Sequence, residues 1–492
     1  MSSLNVLQEE TEESPLLSNN VTIISLPSRL EKIRKPHVLW MLIFSITLSS
    51  ILTSVTAPLV RFVLDIVCLE YYNEKNVDST LTPPSEEDCN ITEISALASK
   101  YLMWYQMFSY LAATLSIGFL STLSDYKGRR FIFKLATLGV IIAFSNIIFV
   151  YHYWRIVSVK FLFIGAIFEG LSGGVIAINT ACHAYISDCT KPENRSMAFG
   201  IMHAFAFCGM TIGPTLGGII VKSTKSVISI FYFAVCTLSF FLVFVSFILP
   251  ESLSKELRLQ RRVLSSVSSR SPRHLFSSLT ILNQEPMDCG EEERRNSWSG
   301  RNTMYILAMI YLIYRLSQAG QNDIITLYTT QRFNWSTLEN GFFLSLQAFT
   351  RFIALIVLLP LCRLLQTKYL SSYSRSLDIH MTRAGLIMEI IGFALFASAI
   401  VPNMLYFACV INSLATIATP AIRSLFTTYV LPTQAGQVLG AMSVIESVGS
   451  IFSPLWMNPL YSWSVRKDFS EIVFWANSLL FVIASFLAFL IR

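Results

Sequence analysis

Four charged residues stand where charge is costly. Glu169, Arg315, Arg351 and Glu446 each interrupt an apolar run long enough to cross a bilayer, and an ionisable group at membrane depth costs several kcal/mol unless it is paired or hydrated. A carboxylate there can take up and release a proton, because desolvation favours its neutral form and a nearby cation its charged one. The spacing leads to the expectation that Arg351 and Glu446 form a structural or gating pair, that Glu169 and Arg315 face a central cavity, and that Glu169 or Glu446 exchanges a proton as water access changes. The alternative is a permanent ion pair that only ties helices together. Glu389 lies shallower, and Arg423 and Asp323 fall near segment ends, where long side chains snorkel or hydrate. Paired histidines, a Cys/His nucleophile arrangement and a phosphate-cradling loop are all missing from the pattern, which argues against an enzyme. The nine cysteines form no C-x-x-C and no His/Cys cluster with zinc spacing, so neither a metal nor a cofactor is expected.

The elements that must position these residues follow from composition. The chain has 492 residues, 53% hydrophobic and 14% charged, with a mean hydropathy of +0.55. An ordinary soluble domain carries about 25% charged residues, so the surface here suits lipid better than water. Segments of about 20 apolar residues cross the hydrocarbon, and twelve are expected, at 39–60, 98–122, 132–151, 160–186, 197–220, 228–249, 303–327, 340–361, 382–401, 404–427, 438–461 and 472–491. These are numbered spans 1 to 12 below. The fold class is therefore an all-α polytopic membrane protein of two six-helix halves, 37–250 and 303–492. A polar tail (1–36) precedes them, and a Ser/Arg-rich linker (251–302) too poor in apolar residues to form a domain separates them.

Of the 37 Lys and Arg residues, 24 fall in segments on the side of the N-terminus, nine on the opposite side and four within spans. That bias places both termini in the cytoplasm, and it accounts for the net charge of +6 without nucleic acid as a partner. Cys68 and Cys89 then bracket a polar stretch on the non-cytoplasmic side, where a disulfide can form. Two sequons, at Asn90 and Asn334, fall on the same side; Asn334 lies too close to the membrane to be a good acceptor. A weak internal repeat relates Pro192 to Gly200, between spans 4 and 5, with Pro432 to Gly440, between spans 10 and 11, as a transporter built of parallel repeats would show.

Three stretches carry a family likeness. Ser121-Thr-Leu-Ser-Asp125-Tyr-Lys-Gly128-Arg129-Arg130 resembles the loop signature of the major facilitator superfamily, with Ser121 in place of the leading glycine. The resemblance implies a gating cluster of Asp125, Gly128, Arg129 and Arg130 that is broken and remade as the halves rock. Asp188 and Arg195, in the stretch from Ala184 to Arg195 that looks like the same family's loop 4-5 element, would join it. Gly209-Met-Thr-Ile-Gly213-Pro214-Thr-Leu-Gly217-Gly218 resembles a span 5 motif of the family. Glycines four apart let helices approach closely, and Pro214 leaves a carbonyl without its donor, so a packed hinge is expected. Leu249-Pro250-Glu251-Ser252 matches the family's usual exit from span 6. Within the superfamily, the cysteine pair with Asn90, and Val444 to Ser450 in span 11, resemble fungal vacuolar members and their relatives similar to proton-coupled folate transporters.

The resemblance implies a secondary active transporter of a small organic solute working by alternating access with protons as coupling ion. A non-transporting sensor on the same fold is the alternative. In the tail, Glu12-Glu13-Ser14-Pro15-Leu16-Leu17 resembles an acidic dileucine sorting signal. It implies that a sorting adaptor is a partner and that the chain resides in a vacuolar or lysosomal membrane, with the endoplasmic reticulum, Golgi or plasma membrane as alternatives.

Overall fold

The computed structural model describes residues 36–74, 89, 91–190, 195–253, 297–362, 364, 374–429 and 435–491. Glu12, Leu16 and Leu17, the sequon residue Asn90 and the linker from 254 to 296 lie outside these residues, as do the side chains of Asp125 and Arg195.

Among the described residues the chain is helical without strands. Nine helices are long and apolar enough to cross a membrane. The helix Thr92–Lys127 (span 2), the pair Ser297–Gln318 and Gln321–Phe333 (span 7) and the helix Ala435–Val465 (span 11) complete the expected set. These three are richer in Ser, Gln, Asn and Tyr. They turn polar side chains to neighbouring helices instead of lipid.

Several spans are broken, and each break has a local cause. Span 1 divides into Val38–Ser54 and Thr56–Glu74, because Pro58 has no N–H to offer the Ser54 carbonyl four residues earlier. Span 4 divides into Leu162–Leu171 and Gly174–Cys189 across Gly173, whose φ of +86° favours glycine. Span 7 breaks at Ala319 and Gly320. Span 8, Thr337–Ile353, passes into a π-helical turn, Ala354–Leu358, just after Arg351. Asn334, in the left-handed region, closes the span 7 helix; Trp335 is buried, and Ser336 caps span 8 with Glu339 in a capping box. This sequon is thus folded into a tight turn. Cys68 and Cys89 form a disulfide, which defines one face of the protein as the disulfide face. The turn at Gly128 marks the other, the loop face.

The span 5 glycines act through close approach. A Cβ at Gly209, Gly213 or Gly217 would lie 2.3, 2.3 or 1.9 Å from the carbonyl oxygens of Ile46, Ser50 and Ser54 in span 1. Pro214 and Gly218 meet span 8 instead: Gly218 would strike the Leu338 backbone at 2.7 Å, and Gly341 the Pro214 carbonyl at 2.4 Å. One motif therefore packs span 5 against its own half on one side and against the opposite half on the other. The 240 residues between Pro192 and Pro432 also separate Gly209 from Gly449 and Pro214 from Pro454. Gly449 repeats the device, bringing span 11 so close to span 7 that a Cβ there would lie 2.5 Å from that of Arg315.

Candidate functional site: a polar cleft between the halves and a charged network at the loop face

At the loop face, Gly128 has a φ of +98°, and a Cβ on it would lie 2.4 Å from the Glu251 carboxylate. Glu251 accepts from the backbone N–H of Arg129 at 2.8 Å and of Arg130 at 3.2 Å, capping the positive end of the span 3 helix with a charge from the exit of span 6. The buried Arg129 pairs with Asp188 at 3.2 Å and donates to Ser124 at 2.8 Å, while Ser252 donates to Asp188 at 2.9 Å. Arg130 donates to the Val245 and Ser246 carbonyls at the end of span 6. Gly128, Arg129, Arg130 and Asp188 are thus brought together. Glu251 and Ser252 belong to the same network, although the sequence pattern puts both in the linker. These bonds lie within residues 124–252 and fasten spans 2, 3, 4 and 6 to one another. The loop between spans 8 and 9 carries no clear copy of the motif, yet Arg383 in span 9 does what Arg130 does: it donates to the Ala488 and Ile491 carbonyls at the end of span 12, at 3.1 and 2.7 Å.

The intramembrane charges pair differently from the expectation. Glu446 is bound not by Arg351 but by Arg315, at 3.1 Å, and by Arg423, at 3.4 Å. The Tyr311 hydroxyl donates to Glu446 at 3.1 Å and accepts from Arg423 at 3.2 Å; Arg315 also donates to Ser450 at 3.2 Å. The cause is the Gly449 contact, which sets span 7 rather than span 8 beside Glu446. Arg423 does not snorkel, because its guanidinium turns inward to this cluster. Arg351 instead donates to Gln318 at 3.4 Å. Gln318 and Asn412 in turn donate to Glu389, which is buried within the protein.

Glu169 sits on the last turn before the span 4 break, where its backbone carbonyl accepts from Ser172, and its carboxylate forms no hydrogen bond or ion pair among the described residues. It lies with Asp323 and Arg315 within electrostatic reach of the Tyr110 hydroxyl, and with Asp323 also near Tyr105. Asp323 is buried, ten residues from the end of the Gln321–Phe333 helix, hence about 15 Å along it at 1.5 Å per residue. Its proposed place near a segment end was wrong because the span 7 helix continues past the point where hydropathy falls. The Asp323 carboxylate accepts from the amide of Gln106 in span 2, a bond between the two halves.

Other bonds between the halves cluster toward the disulfide face. Ser99 donates to Asn458 at 3.0 Å, the Ser95 and Tyr461 hydroxyls are hydrogen-bonded at 3.3 Å, Ser462 donates to the Ala96 carbonyl at 2.9 Å, and Thr215 donates to Ser345 at 2.7 Å. Toward the loop face, a Cβ on Gly200 would meet nothing within 4 Å, and the Arg423 side chain is 43% exposed. There His183 and His203 stand with their Nε2 atoms 3.3 Å apart, within electrostatic reach of Arg423 and Glu446. Sequence reasoning missed this pair because its members lie on consecutive spans, 20 residues apart, and no helical spacing joins them. The signal was rarity: only six histidines occur in the chain.

A polytopic helical protein with a polar cleft between two packed halves has the architecture of a membrane carrier. The chain belongs to the Major Facilitator Superfamily, which it matches over residues 39–454. It is 24% identical over 447 residues to the MFS-type transporter avaJ of Aspergillus versicolor, covering 88% of this chain and 84% of that one. It is 23% identical over 406 residues to the proton-coupled folate transporter of Bos taurus, covering 81% and 80%. The crystal structure of the human organic anion transporter MFSD10 (TETRAN) has the same fold, with a TM-score of 0.55 at 18% identity over 90% of this chain and 99% of that one. The chain is therefore an integral membrane protein with the all-α, two-halved fold of a transporter family, and not an enzyme.

Proposed function

We propose that this chain is a secondary active transporter that moves a small organic solute by alternating access, coupled to protons. The cleft carries the reading. Bonds between the halves close it at the disulfide face, while Glu169, Asp323 and the Arg315, Glu446 and Arg423 cluster stand along it. With the loop face in the cytoplasm, as the charge bias implies, this is an inward-open state in which residues 37–250 and 303–492 rock as bodies about the midplane. Glu169 and Asp323 are the coupling candidates. Glu169 has no described partner to hold its charge, and the partner of Asp323 lies across the rocking interface, so separation of spans 2 and 7 frees that carboxylate for water on the other side. The loop-face network of Asp125, Gly128, Arg129, Arg130, Asp188 and Arg195 serves as the cytoplasmic latch. A vacuolar membrane is the proposed address, with Glu12, Leu16 and Leu17 read by a sorting adaptor.

The test is metabolite profiling of vacuoles from cells with and without the protein, followed by uptake of whatever compound changes into reconstituted vesicles. Uptake driven by an imposed pH gradient and abolished by a protonophore is the expected result. A compound that binds but never accumulates would mark the chain as a sensor instead.

A further inference from the structure

The loop-face mouth of the cleft is rich in donors and poor in acceptors. Two guanidinium groups, Arg315 and Arg423, share one carboxylate, Glu446, so among the described residues two positive charges have one negative charge in contact with them. The Nε–H groups of both arginines find no acceptor among the described residues. Facing them are two imidazoles, His183 and His203. Arg423 from span 10 and Glu446 from span 11 are the charged groups that reach this pair; within spans 4 and 5 its other neighbour is the Phe199 ring, edge-on to His183. The carboxylates of Glu169 and Asp323 belong to the deeper group around Tyr105 and Tyr110. Across 240 residues, the offset of the internal repeat, His183 corresponds to Arg423, so the pair and the guanidinium cluster occupy matching places on opposite walls.

We propose that the cargo is an organic anion held at this mouth between the His183 and His203 pair and the Arg315 and Arg423 guanidiniums, and that the histidine pair carries one proton with it. The inference rests on the transporter reading and adds to it the charge of the cargo and a second proton site beside the carboxylates of Glu169 and Asp323. In the neutral pair one Nε2–H donates to the other Nε2. The proton from water adds at the free Nδ1 of the donor ring, so the bond is kept and becomes charge-assisted. Imidazole ordinarily titrates near pH ~6.5, and protonation of this pair works against the facing guanidinium charge. The sign follows from the facing charges. A protonated pair opposite a net positive cluster resists closure of an empty mouth. An anion between the two walls removes that repulsion, so proton and anion close the mouth together and neither does so alone.

The full chain in lipid nanodiscs is followed by hydrogen exchange at pD 6 and pD 8, with labelling times scaled for the intrinsic rate. Peptides around 183–203 and 423–446 read the mouth, and peptides around 95–106 read the opposite closure. Without cargo, the mouth of the wild type exchanges about threefold faster at pD 6 than at pD 8, the population shift that one pK unit of differential proton affinity gives midway between the two affinities. A mixture of benzoate, succinate and citrate at pD 6 reverses the effect, whereas choline at equal concentration does not. H183Q/H203Q loses the acid effect while the 95–106 peptides keep their protection, and each single variant weakens it. An acid effect undiminished in the double variant overturns the inference, as does reversal by choline in place of the carboxylates. If Glu169→Gln abolishes the acid effect and the histidine variants do not, the inference falls and proton coupling stands. If acid moves nothing even in the wild type, both fall.

Discussion

Gly341→Ala should shift the protein away from the state described here without unfolding it. In this state a Cβ at position 341 would lie 2.4 Å from the Pro214 carbonyl oxygen and 3.0 Å from its carbon, where ordinary contact begins at 3.4 Å. The obstacle is helix backbone, so span 8 must withdraw by about 1 Å, and the Thr215 and Ser345 bond one turn away lengthens with it. Overpacking of this kind costs about 1–3 kcal/mol, which is roughly a 5- to 150-fold change in an equilibrium. Because spans 5 and 8 belong to different halves, the cost falls on the state closed at the disulfide face and vanishes when that face opens. Hydrogen exchange in nanodiscs reads the outcome: peptides around 95–106 and 453–462 exchange faster in the variant, and those around 200–205 exchange more slowly. Gly217→Ala is the control. Its Cβ would lie 1.9 Å from the Ser54 carbonyl, within one half, so its cost is carried in both orientations and lowers Tm without redistributing exchange. If Gly341→Ala lowers Tm as Gly217→Ala does and leaves the exchange pattern unchanged, the two contacts are equivalent and the rocking interface is not where it has been drawn.

Further substitutions separate structural from functional charge. Arg423→Gln leaves Glu446 with Arg315; at 43% and 35% exposure the lost pair is worth at most about 1 kcal/mol, so thermal stability should change little while uptake of the identified cargo falls. Glu446→Gln leaves two guanidiniums facing each other and should lower Tm more than Arg423→Gln does in the same calorimetric scan. Glu251→Ala removes the span 3 cap and should cost about 1–2 kcal/mol, read as a lower Tm, whereas Glu251→Gln keeps an acceptor and costs less. Reduction of the Cys68 and Cys89 disulfide, which closes a 21-residue separation, should cost about 3 kcal/mol by loop entropy, read as a lower Tm in dithiothreitol. Glu169→Gln should abolish uptake driven by a pH gradient; a variant that retains it removes Glu169 from the coupling scheme.

Local features were the legible part of this fold. Apolar runs marked the spans, Gly128 the turn, and the span 5 glycines a close approach, because each depends on a few adjacent residues. Which helix lies beside which was not legible. By position in their segments Arg351 and Arg315 are equally central, and nothing in either segment says that Gly449 will bring span 7 to Glu446. The same limit hid the histidine pair. Depth failed for a different cause: hydropathy counts side chains, so a helix that runs on past residue 327 with Thr329 and Thr330 buried in the protein looks as though it has ended. Glu251 was assigned to the linker because a polar residue after a proline reads as an exit, whereas its carboxylate returns to cap the next element.

The internal repeat gives these observations a common cause. The backbone device is kept on both sides, with Gly209 and Gly449 each drawing a helix onto its partner and Pro214 and Pro454 at matching places. Side-chain chemistry has diverged upon it. Where one wall carries His183, the other carries Arg423: an imidazole can gain or lose a proton, whereas a guanidinium keeps its charge at any pH a cell offers. A carrier with two titratable walls would lose its field as it loaded protons, and one with two fixed walls would not respond to them. A fixed charge facing a titratable pair, on halves that rock as proposed, would make the work of closure depend on proton occupancy, and that dependence is what coupling requires.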